Sequence, residues 1–185
     1  MRFFSRLACV GLLFLSSLSS AAPADPSEDG ARLLVESRLL ERIGAVGNKV
    51  EATASELVGG ALSFLGVPYR RGGSSAETGF DCSGFVRAIY QQTAGLLLPR
   101  RASEQAAATE KIDKTELKPG DLVFFNTMRR AFSHVGIYVG NGKFVHAPKP
   151  GGEVRVEDLG ASYWAKHFDG ARRVPVDPQA DSKQP

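Results

Sequence analysis

The sequence holds two cysteines and three histidines, and one of the cysteines stands where a reactive thiol would be useful. In "ETGFDCSGFVRAIY", residues 77–90, Cys82 lies between Asp81 and Ser83, where a polar, glycine-rich stretch gives way to apolar residues at helical spacing. With Asp81 as N-cap, Cys82 becomes the first helical residue, where unpaired amides and the helix dipole favour an anion. A thiol of ordinary pKa near ~8.5 falls to roughly 3.5–7.5 in such a setting, above all beside a histidinium. The position therefore predicts a thiolate nucleophile. A buried structural cysteine fits poorly, because the open first turn of a helix does not belong in a dry core.

A thiol nucleophile needs a base, and the base needs an orienting group. His134 opens a segment in which Val135, Ile137 and Val139 alternate, so His134, Gly136 and Tyr138 share the opposite face of a strand. Asn141-Gly142 then marks a hairpin leading to "KFVHA" and His146. With a two-residue loop, Gly140 pairs with Lys143 and the two histidines face opposite sides. With a three-residue loop, Gly140 to Gly142, Val139 pairs with Lys143 and Gly136 opposes His146. His134 is then a same-face diagonal neighbour, roughly 7–8 Å away between backbones. A working histidine pair therefore predicts the three-residue loop. His167, in "YWAKHFDG", carries no second signal.

Two other readings of the cysteine concern metal and disulfide chemistry. Cys82, His134 and His146 could be three zinc ligands with an open fourth position, but no H-x-x-x-H or C-x-x-C supplies a short-spaced ligand pair. The disulfide reading depends on the N-terminus. Met1 to Arg6 carries two arginines, Leu7 to Leu15 is apolar, and "SSLSSAAPA" offers small residues ending in an A-x-A site. Residues 1–24 thus read as a secretory signal peptide, too short for a permanent membrane span. Cleavage between Ala21 and Ala24 would discard Cys9 and leave Cys82 without a partner in an oxidising compartment. Arg6 just before Cys9 and the apolar run after it argue against a lipid anchor. Removing Arg2 and Arg6 leaves 21 basic and 20 acidic residues, a balance that implies no nucleic-acid partner.

The remaining residues must hold these side chains in place. A chain of 185 residues, 43% apolar and 23% charged, suits one globular domain with flanking segments. Residues 25–55 read as an extension, in which "ARLLVESRLLERIG" has leucines near helical spacing. A firmer helix follows, with Thr53 and Glu56 as capping box, Leu57, Ala61, Leu62 and Leu65 as apolar stripe, and Gly66 with Pro68 as stop. Tyr69 to Phe80 reads as loop. The Cys82 helix runs to about Thr93, burying Phe85, Val86, Ile89 and Tyr90, with Gly95 beyond its end. "LPRRASEQAAATE" suggests another short helix. "LVFF" (122–125), 134–140 and 143–147 read as strands, with "EVRVEDL" and "GARRVPV" as later ones. Residues 177–185 read as a disordered tail. Helices first and strands afterwards predict an α+β fold with helices packed on a central antiparallel sheet.

The motifs "FDCSGFV", "GDLVFF", "SHVGIYVG" and "FVHA", in this order and spacing, resemble the NlpC-type cysteine peptidases, papain-like enzymes that cut the peptides of bacterial cell wall. The resemblance runs over residues 56–176. "PYRRGGSS", "LPRRASEQ" and "YWAKHFDGARRV" look most like the murein DD-endopeptidase branch, of the Spr or MepS kind. It implies a papain-like fold and a Cys-His-His triad: Cys82 as nucleophile, His134 as base and His146 as its orienter. It also implies that Tyr69, with the backbone amide of Cys82, stabilises an oxyanion. No cofactor and no metal are expected, and the partner implied is peptidoglycan in the periplasm or cell envelope. The favoured bond joins D-Ala to diaminopimelate; the alternatives are the γ-D-glutamyl-diaminopimelate bond, an amidase or acyltransferase on the same core, and a non-catalytic wall-binding module. Murein stems are rich in carboxylates, which arginine binds bidentately, so Arg70, Arg100 and Arg129, with Ser83, are candidate substrate contacts.

Overall fold

The computed structural model describes residues 34, 37–41 and 53–175. The expected signal peptide, most of the extension and the expected tail lie outside these residues. The chain divides into two compact units, Met1–Glu41 and Arg42–Pro185. In the first, residues 34 and 37–41 are helical and Leu34, Leu39 and Leu40 are exposed. The second carries every element below.

Helix α1 spans 53–63, followed by a small hairpin of β1 (Ser74–Ser75) and β2 (Gly79–Phe80). Then come α2 (Cys82–Ala94), α3 (Ala102–Ala107), β3 (Glu110–Ile112), a 3₁₀ turn at Lys114–Glu116, and β4 (Leu122–Phe125). Strands β5 (His134–Gly140), β6 (Lys143–His146) and β7 (Arg155–Asp158) precede α4 (Ser162–His167) and β8 (Phe168–Arg173). Six strands form one antiparallel sheet in the order β3-β8-β4-β5-β6-β7.

Both faces of this sheet are covered, and the alternation of strand side chains sorts the core into two layers. Leu122 and Phe124 of β4 pack with Val135, Ile137, Val145 and the apolar face of α2, including Phe85, Val86 and Ile89. Val123 and Phe125 point the other way, against Phe144, Leu159 and Trp164. The run "LVFF" is therefore buried along its whole length, as a central strand requires.

Several sequence-based expectations are corrected. Leu57 and Ala61 are buried in the core, but Leu62, within the helix, and Leu65, beyond its end at residue 63, are exposed at 36% and 47%, and Phe64 packs against the core instead. The stretch 69–80 is more than loop, since it holds the β1–β2 pairing and a parallel bridge from Tyr69 to Phe80. The last strand begins at Phe168 and stops before Pro175, since a central strand flanked by β3 and β4 has no use for a residue lacking an N–H.

The hairpin between the histidines differs in an instructive way. Gly140 pairs with Lys143, so the turn is the two-residue Asn141-Gly142, with φ of 51° and 70°. That turn alone would send the histidines to opposite faces. A register shift between Tyr138 and Gly140 inserts Val139 as a bulge, so that Tyr138 pairs with Phe144 and Ile137 with Val145. The extra residue lies in the strand rather than in the turn, and the two histidines end on one face.

Candidate active site

Helix α2 begins at Cys82 because Asp81 caps it. The Asp81 backbone is extended at φ −91° and ψ 174°, and its Oδ1 accepts the Gly84 amide at 2.8 Å. Its Oδ2 accepts the Gly72 amide at 2.9 Å, which ties the preceding loop to the first helical turn. That loop lies so close that a Cβ on Gly84 would sit 2.1 Å from the Gly73 carbonyl oxygen. Glycine at position 84 thus lets the loop fold over the start of α2 while Cys82 keeps partial exposure.

The thiol is not poised as the helix terminus suggested. Burial and the Asp81 carboxylate push the Cys82 pKa up to about 11, against the opposing pull of backbone hydrogen bonds from Val135, Ser83 and Cys82 itself. Desolvation outweighs the backbone amides that the helix start offers the sulfur.

His134 and His146 are 4% and 0% exposed, held on the sheet face opposite α2's core among aromatic rings. The indole of Trp164, from α4, stacks on His134 at 5.6 Å between centroids and meets His146 edge-on at 4.9 Å. His134 Nε2 and His146 Nδ1 are 2.7 Å apart, a hydrogen bond. Gly136 makes this pairing possible, since a Cβ there would lie 2.7 Å from the Phe144 ring and 3.2 Å from the His146 Cβ. Burial lowers the His134 pKa to about 4; burial, His134 and Arg155 lower that of His146 to about 2. At neutral pH the thiol and both imidazoles are uncharged. With Nε2 committed to His146, Nδ1 is the His134 nitrogen left to exchange a proton with anything else.

Cys82, His134 and Tyr69 line one cleft of about 740 Å³. Tyr69 is fixed by its amide, which donates to the Gly152 carbonyl at 2.8 Å. Burial, then the neighbouring Cys82 and Asp81, raise its pKa, which keeps the phenol protonated as a donor. His146 stands behind His134, fully buried.

The other expected contacts lie elsewhere. Arg100 is bound to Asp81, Nη2 to Oδ2 at 2.6 Å and Nη1 to Oδ1 at 2.9 Å, and it also reaches Ser83 Oγ at 3.0 Å. Ser83 is itself buried. Arg70 and Arg129 are exposed and do not line the cleft, whereas Arg71, the second member of the first arginine pair, does. Lys149, Arg155, Glu157 and Trp164 line it too and were not anticipated. The alternation in "RVED" puts Arg155 and Glu157 on one face of β7, but only the β6–β7 register, with His146 opposite Arg155, says that this face holds the histidines. Among the described residues no three His, Cys, Asp or Glu side chains group as a metal site, and the two histidines spend facing nitrogens on each other.

The model of the NlpC/P60 family matches residues 66–173. The chain is 44% identical over 129 residues to the murein DD-endopeptidase MepH of Escherichia coli (strain K12), covering 68% of this chain and 48% of that protein. It is 44% identical over 114 residues to the Gamma-DL-glutamyl hydrolase of Bacillus subtilis (strain 168), covering 61% of this chain and 27% of that one. It therefore spans about half or less of the length of these curated relatives. The solved NlpC/p60 domain of the peptidoglycan hydrolase SagA superposes with a TM-score of 0.58 at 35% identity, over 65% of this chain and 98% of that domain. The fold, the order of the motifs and the matched residues agree: the chain belongs to the NlpC/P60 family, whose members similar to it are named as murein endopeptidases and glutamyl hydrolases.

Proposed function

We propose that the chain is a cysteine endopeptidase that hydrolyses peptide bonds in peptidoglycan stem peptides or their cross-links, with the D-Ala to diaminopimelate bond favoured. The observation that carries this reading is the 2.7 Å contact between His134 Nε2 and His146 Nδ1, at a cleft that Cys82 also lines. It supports Cys82 as nucleophile, His134 as base and His146 as the group that orients the base.

The resting thiol is protonated and His134 neutral, so the proton passes from Cys82 Sγ to His134 Nδ1 as sulfur bonds to the substrate carbonyl carbon. The carbonyl oxygen gains the negative charge, for which the Tyr69 phenol and the Cys82 amide are suitable donors. His134 then gives its proton to the leaving amine, and the C–N bond breaks to leave a thioester. Water, deprotonated by His134, releases the acyl group and restores the thiol. Arg71 and Lys149 on the cleft wall are cations suited to carboxylate-bearing stems, while Arg155 is paired with Glu157. The reading of residues 1–24 as a signal peptide would deliver this activity to the envelope.

Digestion of purified muropeptides by wild type and Cys82→Ala, followed by mass spectrometry, tests the reading. Cys82-dependent loss of cross-linked dimers is the expected result. Shortened stems would assign the glutamyl bond instead, a reading favoured by the similarity to the Bacillus subtilis hydrolase. Unchanged muropeptides would overturn the peptidase and leave a wall-binding module.

A further inference from the structure

His146 Nε2 is buried and has no hydrogen-bond partner, although the residue is fully enclosed. A polar atom so placed is costly unless something answers it. The nearest charged acceptor is Glu157 Oε2, 3.8 Å away. That carboxylate is held in place: Trp164 Nε1 donates to Oε2 and the Arg155 guanidinium binds Oε1. The residues flanking the histidine pair thus comprise one carboxylate, Glu157, and one cation, Arg155, both on β7.

The bond between His134 and His146 can be made in two ways. If His134 Nε2–H donates, His134 Nδ1 carries a lone pair and can take the thiol proton. If His146 Nδ1–H donates, His134 must hold its proton on Nδ1 and cannot act as base. The first arrangement requires His146 to be protonated at Nε2, pointing toward Glu157. The second leaves Nε2 as a lone pair aimed at a carboxylate, which is repulsive. Resting on the peptidase reading above, we propose that Glu157 is a positioning residue: its carboxylate fixes the Nε2–H tautomer of His146 and thereby the basic nitrogen of His134. Catalytic hydrogen bonds that are long in a free enzyme shorten in its substrate complex, and 3.8 Å leaves a small movement to make.

Long-range ¹H–¹⁵N spectra of the histidine rings test this without substrate. Wild type is expected to show His146 protonated at Nε2 at neutral pH. Glu157→Gln keeps the size but removes the charge, so the oxygen that Trp164 and His146 both face becomes a weaker, neutral acceptor. It is expected to shift His146 toward the Nδ1–H form and to lower kcat on muropeptides at least about 10-fold with KM little changed. Glu157→Asp, which retains the charge, is expected to restore the Nε2–H tautomer and part of kcat. A wild type with His146 protonated at Nδ1, or a Glu157→Gln variant with unchanged tautomer, overturns the proposal. Should Glu157→Gln fail to fold, the wild-type and Glu157→Asp spectra still decide it. Muropeptides left intact by wild type would sink the peptidase reading while leaving the tautomer result to stand by itself.

Discussion

Asp81 and Arg100 are joined by two hydrogen bonds, at 2.6 and 2.9 Å, directly beside the thiol of Cys82. The carboxylate is thus cap, loop anchor and ion-pair partner at once, and its charge is also the second-largest reason that the thiol pKa is high. Alkylation of wild type by iodoacetamide is expected to be slow at pH 7 and to rise toward a pKa of about 11. Asp81→Asn keeps an oxygen for the Gly84 amide while removing the negative charge and the ion pair to Arg100, so it should shift the alkylation profile to lower pH. Arg100→Gln should shift it to higher pH. Equal profiles for all three proteins would mean that Asp81 does not set the thiol.

The histidine pair makes stability depend on pH. Both histidines have folded-state pKa values, about 4 and about 2, below the ~6.5 of an unfolded chain. The unfolded state therefore binds more protons in acid, and the contribution is complete above pH ~6.5 and lost as pH falls toward the folded values. Urea unfolding should show stability dropping between pH 6 and 4 by up to roughly 1.4 kcal/mol per pH unit for each histidine. His146→Gln should flatten this slope. Activity should fall with pH through about 4 as His134 becomes protonated, the free-enzyme base being neutral above that value.

Tyr69 has a phenol in the cleft and a backbone fixed by Gly152, so its hydroxyl can be removed without disturbing the strand bridge that holds it. Tyr69→Phe is expected to lower kcat about 100-fold or more, the usual worth of one oxyanion donor. Its urea midpoint should stay near wild type. A drop in stability with unchanged kcat would mean that Tyr69 only packs.

The strand core and the Cys82 helix were legible because each rests on local pattern: Asp81 caps, Gly95 ends the helix at φ 66°, and Phe85, Val86 and Ile89 recur on one face. What was not legible was set by partners distant in sequence. The bulge at Val139 follows from the need of β5 and β6 to bury both faces at once, a demand no two-residue turn announces. The strand Glu110–Ile112 is short and mostly exposed, so only pairing with β8 defines it. The helix terminus beside Cys82 is a local feature, whereas the desolvation that raises its pKa is tertiary and has no local signal. Arg71, Lys149 and Glu157 come to the cleft from separate segments, and nothing in their own neighbourhoods marks them.

Gly136 and Gly142 allow the hairpin's two contributions to be separated. At Gly136 the obstacle is steric, since an added Cβ would press on Phe144 and on the backbone and Cβ at Val145 and His146. Gly136→Ala should cost about 1–3 kcal/mol, as overpacking of a core does, and should move His146 away from His134. At Gly142 nothing lies within 4 Å of a new Cβ, and the only obstacle is φ of +70°. Gly142→Ala should therefore cost about 1 kcal/mol through backbone strain alone. Measured by urea unfolding and muropeptide cleavage, the first substitution should lower kcat well beyond its loss of stability, while the second should leave kcat unchanged. Equal effects on kcat would mean that the histidine contact does not depend on the space Gly136 provides.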